Sequence, residues 1–294
     1  MKKLKVSKVE ILANIILILL VFGCIFPFML LIVGSFTDNA TLEMNGYSLF
    51  PKKWSVYAYQ YLLRSGEYIL RAYIITMLVT LVGTSVSLLM TSALAYAISR
   101  KDLPGRNVLS FLIFFVTLFN GGLVPTYLVY TKIFHVQNTI FALLIPGLLM
   151  SGMNVLMMRT YFQMNIPVPI IESAMLDGAS EFKTYTKIAM PLSTPMLATI
   201  GLFTGLAYWN DWNNGLVYIT DKNIMNLQTV LNRILLDIQY LQSTANTTGF
   251  DVTKMPTTTV RLAIAVIGVV PVLIIYPFFQ KYFTKGLTIG SVKG

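Results

Sequence analysis

Six apolar runs, at about 11–34, 73–98, 108–130, 139–162, 195–218 and 258–282, are each long enough, as a helix, to cross a hydrocarbon core about 30 Å thick. In lipid a spanning segment must satisfy its own backbone hydrogen bonds, so runs of this length read as helices. The expected fold is therefore an all-α membrane protein with six transmembrane helices. Composition agrees: 55% of the 294 residues are hydrophobic and 12% charged, well outside the range of a soluble domain. No internal repeat or low-complexity segment divides the chain, and residues 1–294 are expected to form one transmembrane domain.

The runs differ in how regular they are. The second carries Gly83, Ser87, Ala93 and Ala97, and the fifth Gly201 and Gly205, at spacings that let helices approach closely. The third is interrupted by Asn120-Gly121-Gly122 and Pro125, the fourth by Pro146-Gly147. Such breakers are tolerated at membrane depth where protein or a water-filled cavity covers the freed backbone. Val21-Phe22-Gly23-Cys24 weakly mimics a lipoprotein signal, but the apolar run continues well past the cysteine, which favours a span.

Between the runs, the Trp- and Tyr-rich segment 35–70 is expected on the outer face with a helix lying at the interface, and 219–257 as a polar outer loop. Basic residues set the orientation. Lys2, Lys3, Lys5 and Lys8, then Arg100, Lys101 and Arg106, then Arg159, Lys183 and Lys187, then Lys281, Lys285 and Lys293 gather on the shorter segments. The positive-inside rule places both termini and the segment 163–194 in the cytoplasm.

Several function classes fall away. A net charge of +10 is compatible with nucleic-acid binding, but the basic residues sit at the ends of apolar runs without interleaved aromatics. One cysteine and one histidine, His135, exclude an intramolecular disulfide and a His-Cys metal cluster. Scattered carboxylates offer no nucleophile and base pair, so no catalytic residue is expected and the chain reads as a non-enzyme. An ion-coupled carrier, the rival reading, wants charged groups at mid-span, and the run centres hold none. A pathway for a neutral polar solute remains, with Asn120, Asn154, Tyr208, Trp209, Asn210 and Asp211 as candidate contacts, Asp211 in the outer half of the fifth run. The plainer alternative for each is an interfacial anchor or an interhelical hydrogen bond.

The segment Pro167–Pro191 is the long polar stretch between spans that looks built to touch a partner. Pro167 and Pro169 suit a first helical turn, Ile170 to Leu176 continue it, and Gly178 tolerates the left-handed turn that stops it. Ala179 to Ile188 then begin a second helix, which Pro191 is expected to block.

Glu172, Ser173, Ala174, Gly178, Ile188, Met190 and Pro191 fall at the spacing of the EAA loop, E-A-A-x3-G-x9-I-x-L-P, with Ser173 and Met190 as the departures. The chain thus resembles permease subunits of bacterial ABC importers. The resemblance implies a type I ABC importer permease fold and coupling helices, with Asp177, Ala179 and Ser180 beside the motif residues, that dock in a cleft of a cytoplasmic ATPase. Residues 284–294 include Gly286, Leu287, Thr288, Gly290, Lys293 and Gly294 and resemble the G-L-T-x-G-x-V-K-G terminus of the second permease in maltose-type sugar importers, which reaches between two ATPase subunits. Asn120 to Tyr127 resembles a Gram-positive subgroup linked to complex oligosaccharides. By that resemblance the partners are a second permease, two ATPase subunits that bind ATP and magnesium, an extracellular solute-binding protein and a sugar, in a bacterial cell membrane. The chain itself has no G-x-x-x-x-G-K-[ST] phosphate loop, so any ATP must be bound elsewhere.

Overall fold

A computed structural model describes residues 8–64, 66–248 and 257–291, and helices dominate them. In chain order they are α1 (Lys8–Ser35), α2 (Asn39–Asn45), α3 (Tyr57–Leu63), α4 (Gly66–Ser99), α5 (Arg106–Leu118) and α6 (Leu123–Leu128). There follow α7 (Phe141–Leu144), α8 (Gly152–Asn165), α9 (Val168–Leu176), α10 (Glu181–Thr184), α11 (Met190–Leu192) and α12 (Thr194–Trp209). Last come α13 (Asn213–Tyr218), α14 (Leu227–Thr248) and α15 (Thr257–Ser291). Extended pairing among the described residues is one isolated bridge, Thr37 to Trp54.

Three helices are long and apolar enough to cross a membrane, over Val9–Ser35, Gly66–Ser99 and Thr258–Gln280. Two bent pairs raise the number to five if each makes one crossing. The third run is the first such pair: Arg106–Leu118 and Leu123–Ile133 meet at 113°. The bend falls on Asn120-Gly121-Gly122, where Asn120 Oδ1 accepts the Gly122 amide at 2.9 Å and Gly122 takes a left-handed φ of 84°. The second pair joins Glu181–Leu192 to Thr194–Trp209 at 81°.

The fourth run is interrupted at Pro146-Gly147 as expected, with Gly147 at φ 72° between α7 and α8. Several expectations need correction. The fifth run ends at Trp209 and restarts as α13, so Asp211 lies in the turn between them. The supposed polar loop 219–257 contains the 22-residue α14. Its Leu227, Val230, Leu231 and Ile238 are buried and recur at helical spacing. Pro191 does not end the second helix of the loop, since a π turn over Tyr185–Ala189 precedes it and Pro191 enters α11 in the first turn, where its missing N–H costs nothing. The tail is also regular: the α15 backbone is helical to Ser291, while Lys293 and Gly294 lie outside the described residues.

Internal contacts divide the chain into two units. In the first, Met1–Glu67 with Arg233–Pro271, Asn39 Oδ1 accepts the Thr258 and Thr259 amides, each at 3.2 Å, and so caps the start of α15. Ser35 Oγ and Tyr59 Oη share a 2.8 Å hydrogen bond, and Phe36 stacks on Tyr59. In the second, Tyr68–Asn232 with Val272–Gly294, the core joins Ala95, Ile98, Val155, Met158, Phe162 and Ile200 from α4, α8 and α12. Ile171 and Ala189 extend this core into the segment after α8, which ties the loop to the bundle.

Candidate coupling site

The site is the helix–turn–helix formed by α9 and α10. Pro167 caps α9, and three bonds close its far end: Asp177 N to Ser173 O at 3.0 Å, Gly178 N to Met175 O at 3.0 Å and Ala179 N to Ala174 O at 2.9 Å. The last two are the paired bonds of a Schellman stop, which requires a left-handed residue, and Gly178 supplies it at φ 78°. Ser180 then caps α10, its Oγ accepting the Lys183 amide at 3.3 Å. The chain reverses within four residues.

That reversal presents a defined surface. Ile171 turns into the core, whereas Glu172, Ser173, Asp177, Gly178 and Ser180 are exposed. Leu176 is 89% exposed and Phe182 74%, two large apolar side chains flanking the turn. Each would gain about 1.5–3 kcal/mol on full burial. A polar tip with two uncovered apolar side chains is suited to insertion into a complementary cleft. Ile188 and Pro191 lie behind the tip, in the π turn and α11.

The loop is fastened to the end of α4. Glu181 Oε2 accepts a hydrogen bond from Tyr96 Oη at 3.0 Å, and Glu181 Oε1 pairs with Arg100 Nη2 at 3.3 Å. Arg100 also pairs with Asp102 at 3.2 Å. The sequence singled out Arg100 only as a basic residue that sets orientation, because Glu181 and Arg100 are far apart along the chain and no spacing rule joins them. The signal for Leu176 and Phe182 was present, as apolar residues flanking a glycine stop in a polar loop.

Five of the six candidate solute contacts hold hydrogen bonds within the protein. Tyr208 is 1% exposed and donates to Leu144 O at 2.7 Å, a packing role. Asn154 Nδ2 donates to Thr204 Oγ1 at 3.4 Å, linking α8 to α12. Asn120 bonds within its own turn, and Asn210 Nδ2 donates back to Leu206 O at 3.0 Å. Asp211 Oδ1 accepts the Asn214 amide at 3.1 Å. Of the six, Trp209 alone lines the cavity of about 190 Å³ between Thr80 and Thr84 of α4, Gly201 and Gly205 of α12 and Phe279 of α15.

The described residues thus form a helical protein with helices of spanning length and a tightly turned, apolar-tipped loop fastened to its bundle. Residues 97–289 match the model of the family described as binding-protein-dependent transport system inner membrane component. The chain belongs to that family. It is 36% identical to the polygalacturonan/rhamnogalacturonan transport system permease protein YtcP of Bacillus subtilis, over 92% of this chain and 93% of that one. It is 30% identical to the trehalose/maltose transport system permease protein MalG of Thermococcus litoralis, over 97% and 99%. A chain from the crystal structure of a bacterial ABC transporter involved in importing the acidic polysaccharide alginate superimposes with a TM-score of 0.79 at 27% identity, covering 96% of this chain and 100% of that one. The fold is thus the type I ABC permease fold, and the chain is a permease subunit of an ABC importer.

Proposed function

We propose that this permease carries an oligosaccharide across the bacterial cytoplasmic membrane by alternating access, driven by ATPase subunits that dock on the α9–α10 tip. The single observation that carries the docking is the pair Leu176 and Phe182, uncovered on a turn whose backbone is fixed. The sugar reading is supported by the three relatives described above, whose substrates are polygalacturonan/rhamnogalacturonan, trehalose/maltose and alginate.

Energy must come from outside the chain. Moving a two-state equilibrium from 1:99 to 99:1 takes about 5.5 kcal/mol of differential binding. The sequence has no phosphate loop to bind ATP, so nucleotide and magnesium belong to the ATPase subunits, whose closure pushes on Glu172–Ser180, and the helices rock as rigid bodies. A second permease of the same family, two ATPase subunits and an extracellular solute-binding protein complete the assembly. Residues 1–294 act as one transmembrane domain, with six crossings counted by letting the first bent pair, α8 and α12 each traverse the bilayer beside α1, α4 and α15. Lys and Arg on the shorter segments put both termini and the tip in the cytoplasm. The tail, Gly286 to Gly294, reaches the ATPase pair.

The test is uptake of labelled oligosaccharide by vesicles holding the copurified complex. Uptake that stops on ATP depletion and survives collapse of ion gradients supports the proposal. Uptake that dies with the ion gradient instead makes the chain an ion-coupled carrier.

A further inference from the structure

We infer that Ser92, Tyr96 and Arg100 are positioning residues that lock α10 to the inner end of α4, so that a push on the loop is delivered to the spanning helix without slip. The inference rests on the docking proposed above, and its geometry is independent of it. Ser92 and Tyr96 are spaced by four on one face of α4, and Arg100, four further on, directly follows its last residue; Glu181 and Tyr185 are spaced by four on the loop. The two stripes meet in order. Ser92 Oγ and Tyr185 Oη share a hydrogen bond of 2.7 Å, Tyr96 Oη donates to Glu181 Oε2 at 3.0 Å, and Arg100 Nη2 reaches Glu181 Oε1 at 3.3 Å. Tyr96 and Tyr185 also touch ring to ring, with centroids 5.3 Å apart. Both Glu181 oxygens are therefore held, one from the last turn of α4 and one from the residue that follows it, which fixes rotation as well as distance. Arg100 Nη2 further contacts Met175 Sδ at 3.6 Å, bringing α9 into the same joint.

Beside this ladder lies a groove of about 530 Å³, walled by Ala93, Ala97, Leu103, Pro104 and Phe182. Apolar packing is thus incomplete on that side of the joint. The register between α10 and α4 there depends on the three polar ties, since a slip of one turn would break all of them together. Arg100 is 16% exposed and Glu181 52%, so the pair is partly screened and its role is directional more than stabilising.

The test is a double-mutant cycle in the reconstituted complex with its partner subunits, read as solute accumulated per ATP hydrolysed. Arg100→Ala and Glu181→Ala should each lower that ratio about tenfold, with the double variant no worse than either single. Membrane content and ATP hydrolysis should stay near wild type, an outcome a merely structural role would not give. Losses that multiply in the double variant, or a ratio unchanged in the singles, overturn the inference. Should Arg100→Ala fail to assemble, Ser92→Ala with Tyr185→Phe carries the same cycle at the other end of the ladder. A wild-type complex without ATP-dependent accumulation would instead overturn the proposed transport, so the two failures are separable.

Discussion

The ring of Tyr208 on α12 lies against Gly83 of α4, so close that a Cβ on Gly83 would fall 2.7 Å from both Cε1 and Cε2. The ring cannot swing aside, because its hydroxyl is tied to Leu144 O at 2.7 Å and the side chain is buried. Gly83→Ala should therefore cost about 1–3 kcal/mol through overpacking. Gly205 on the facing helix is the contrast: its nearest neighbour would be Thr84 Oγ1 at 3.5 Å, an ordinary contact. Gly205→Ala should be neutral or gain up to about 1 kcal/mol of helix propensity. Thermal unfolding of the detergent-solubilised protein checks both, and equal destabilisation would mean that the Tyr208 contact does not hold the two helices.

At Gly178 the reversal itself is at stake. Proline cannot reach φ 78°, and it lacks the N–H that Gly178 gives to Met175 O, so Gly178→Pro removes both elements of the stop at a cost of about 3 kcal/mol locally. The spans do not depend on this turn. Membrane content should be retained while ATP-driven uptake is lost, as measured by immunoblot and labelled oligosaccharide. Normal uptake would take the turn out of the mechanism.

If the tip enters a cleft of an ATPase, its most exposed side chains should meet that subunit first. Leu176→Cys and Phe182→Cys, each in a Cys24→Ser background, should crosslink to the ATPase with a short bifunctional reagent, whereas a cysteine at buried Ile171 should not. Glu172→Lys, which reverses a charge on the exposed face of α9, should lower uptake without changing membrane content. A tip that is reactive to reagent yet never joined to an ATPase counts against docking.

What could be read from the residues alone follows a physical divide. Run length and local stereochemistry are properties of neighbours in the chain, so α1, α4 and α15, the bend at Asn120-Gly121-Gly122 and the stop at Gly178 were all visible there. Helix α14 was legible in principle, since Leu227, Val230, Leu231 and Ile238 recur at helical spacing, but its Asn, Gln and Thr content masks a stripe that is apolar on one side only. Pro191 misled because a π turn shifts the hydrogen-bond register ahead of it, which no residue type announces. The Arg100–Glu181 pair and the burial of Tyr208 are long-range outcomes of packing. The hydrogen bonds of Asn154 and Tyr208 are of the same kind: polar residues beside aromatics serve interhelical bonds as readily as a ligand.

The chain end offers a last test. The α15 backbone continues as helix past the apolar stretch that closes at Gln280, to Ser291, so the helix outruns that stretch by 11 residues. A rigid extension of that kind can touch a partner at a fixed height, whereas a frayed end contributes little. Deleting Leu287 to Gly294 leaves every apolar run intact, so insertion should be unaffected. Uptake should fall about tenfold, on the scale of a typical coupling free energy, while the assembled ATPase continues to hydrolyse ATP. Parallel assays of labelled oligosaccharide and released phosphate on the reconstituted complex measure the two quantities. Unchanged uptake would mean that the last turns of α15 contact nothing that matters, and coupling would rest on the α9–α10 tip alone.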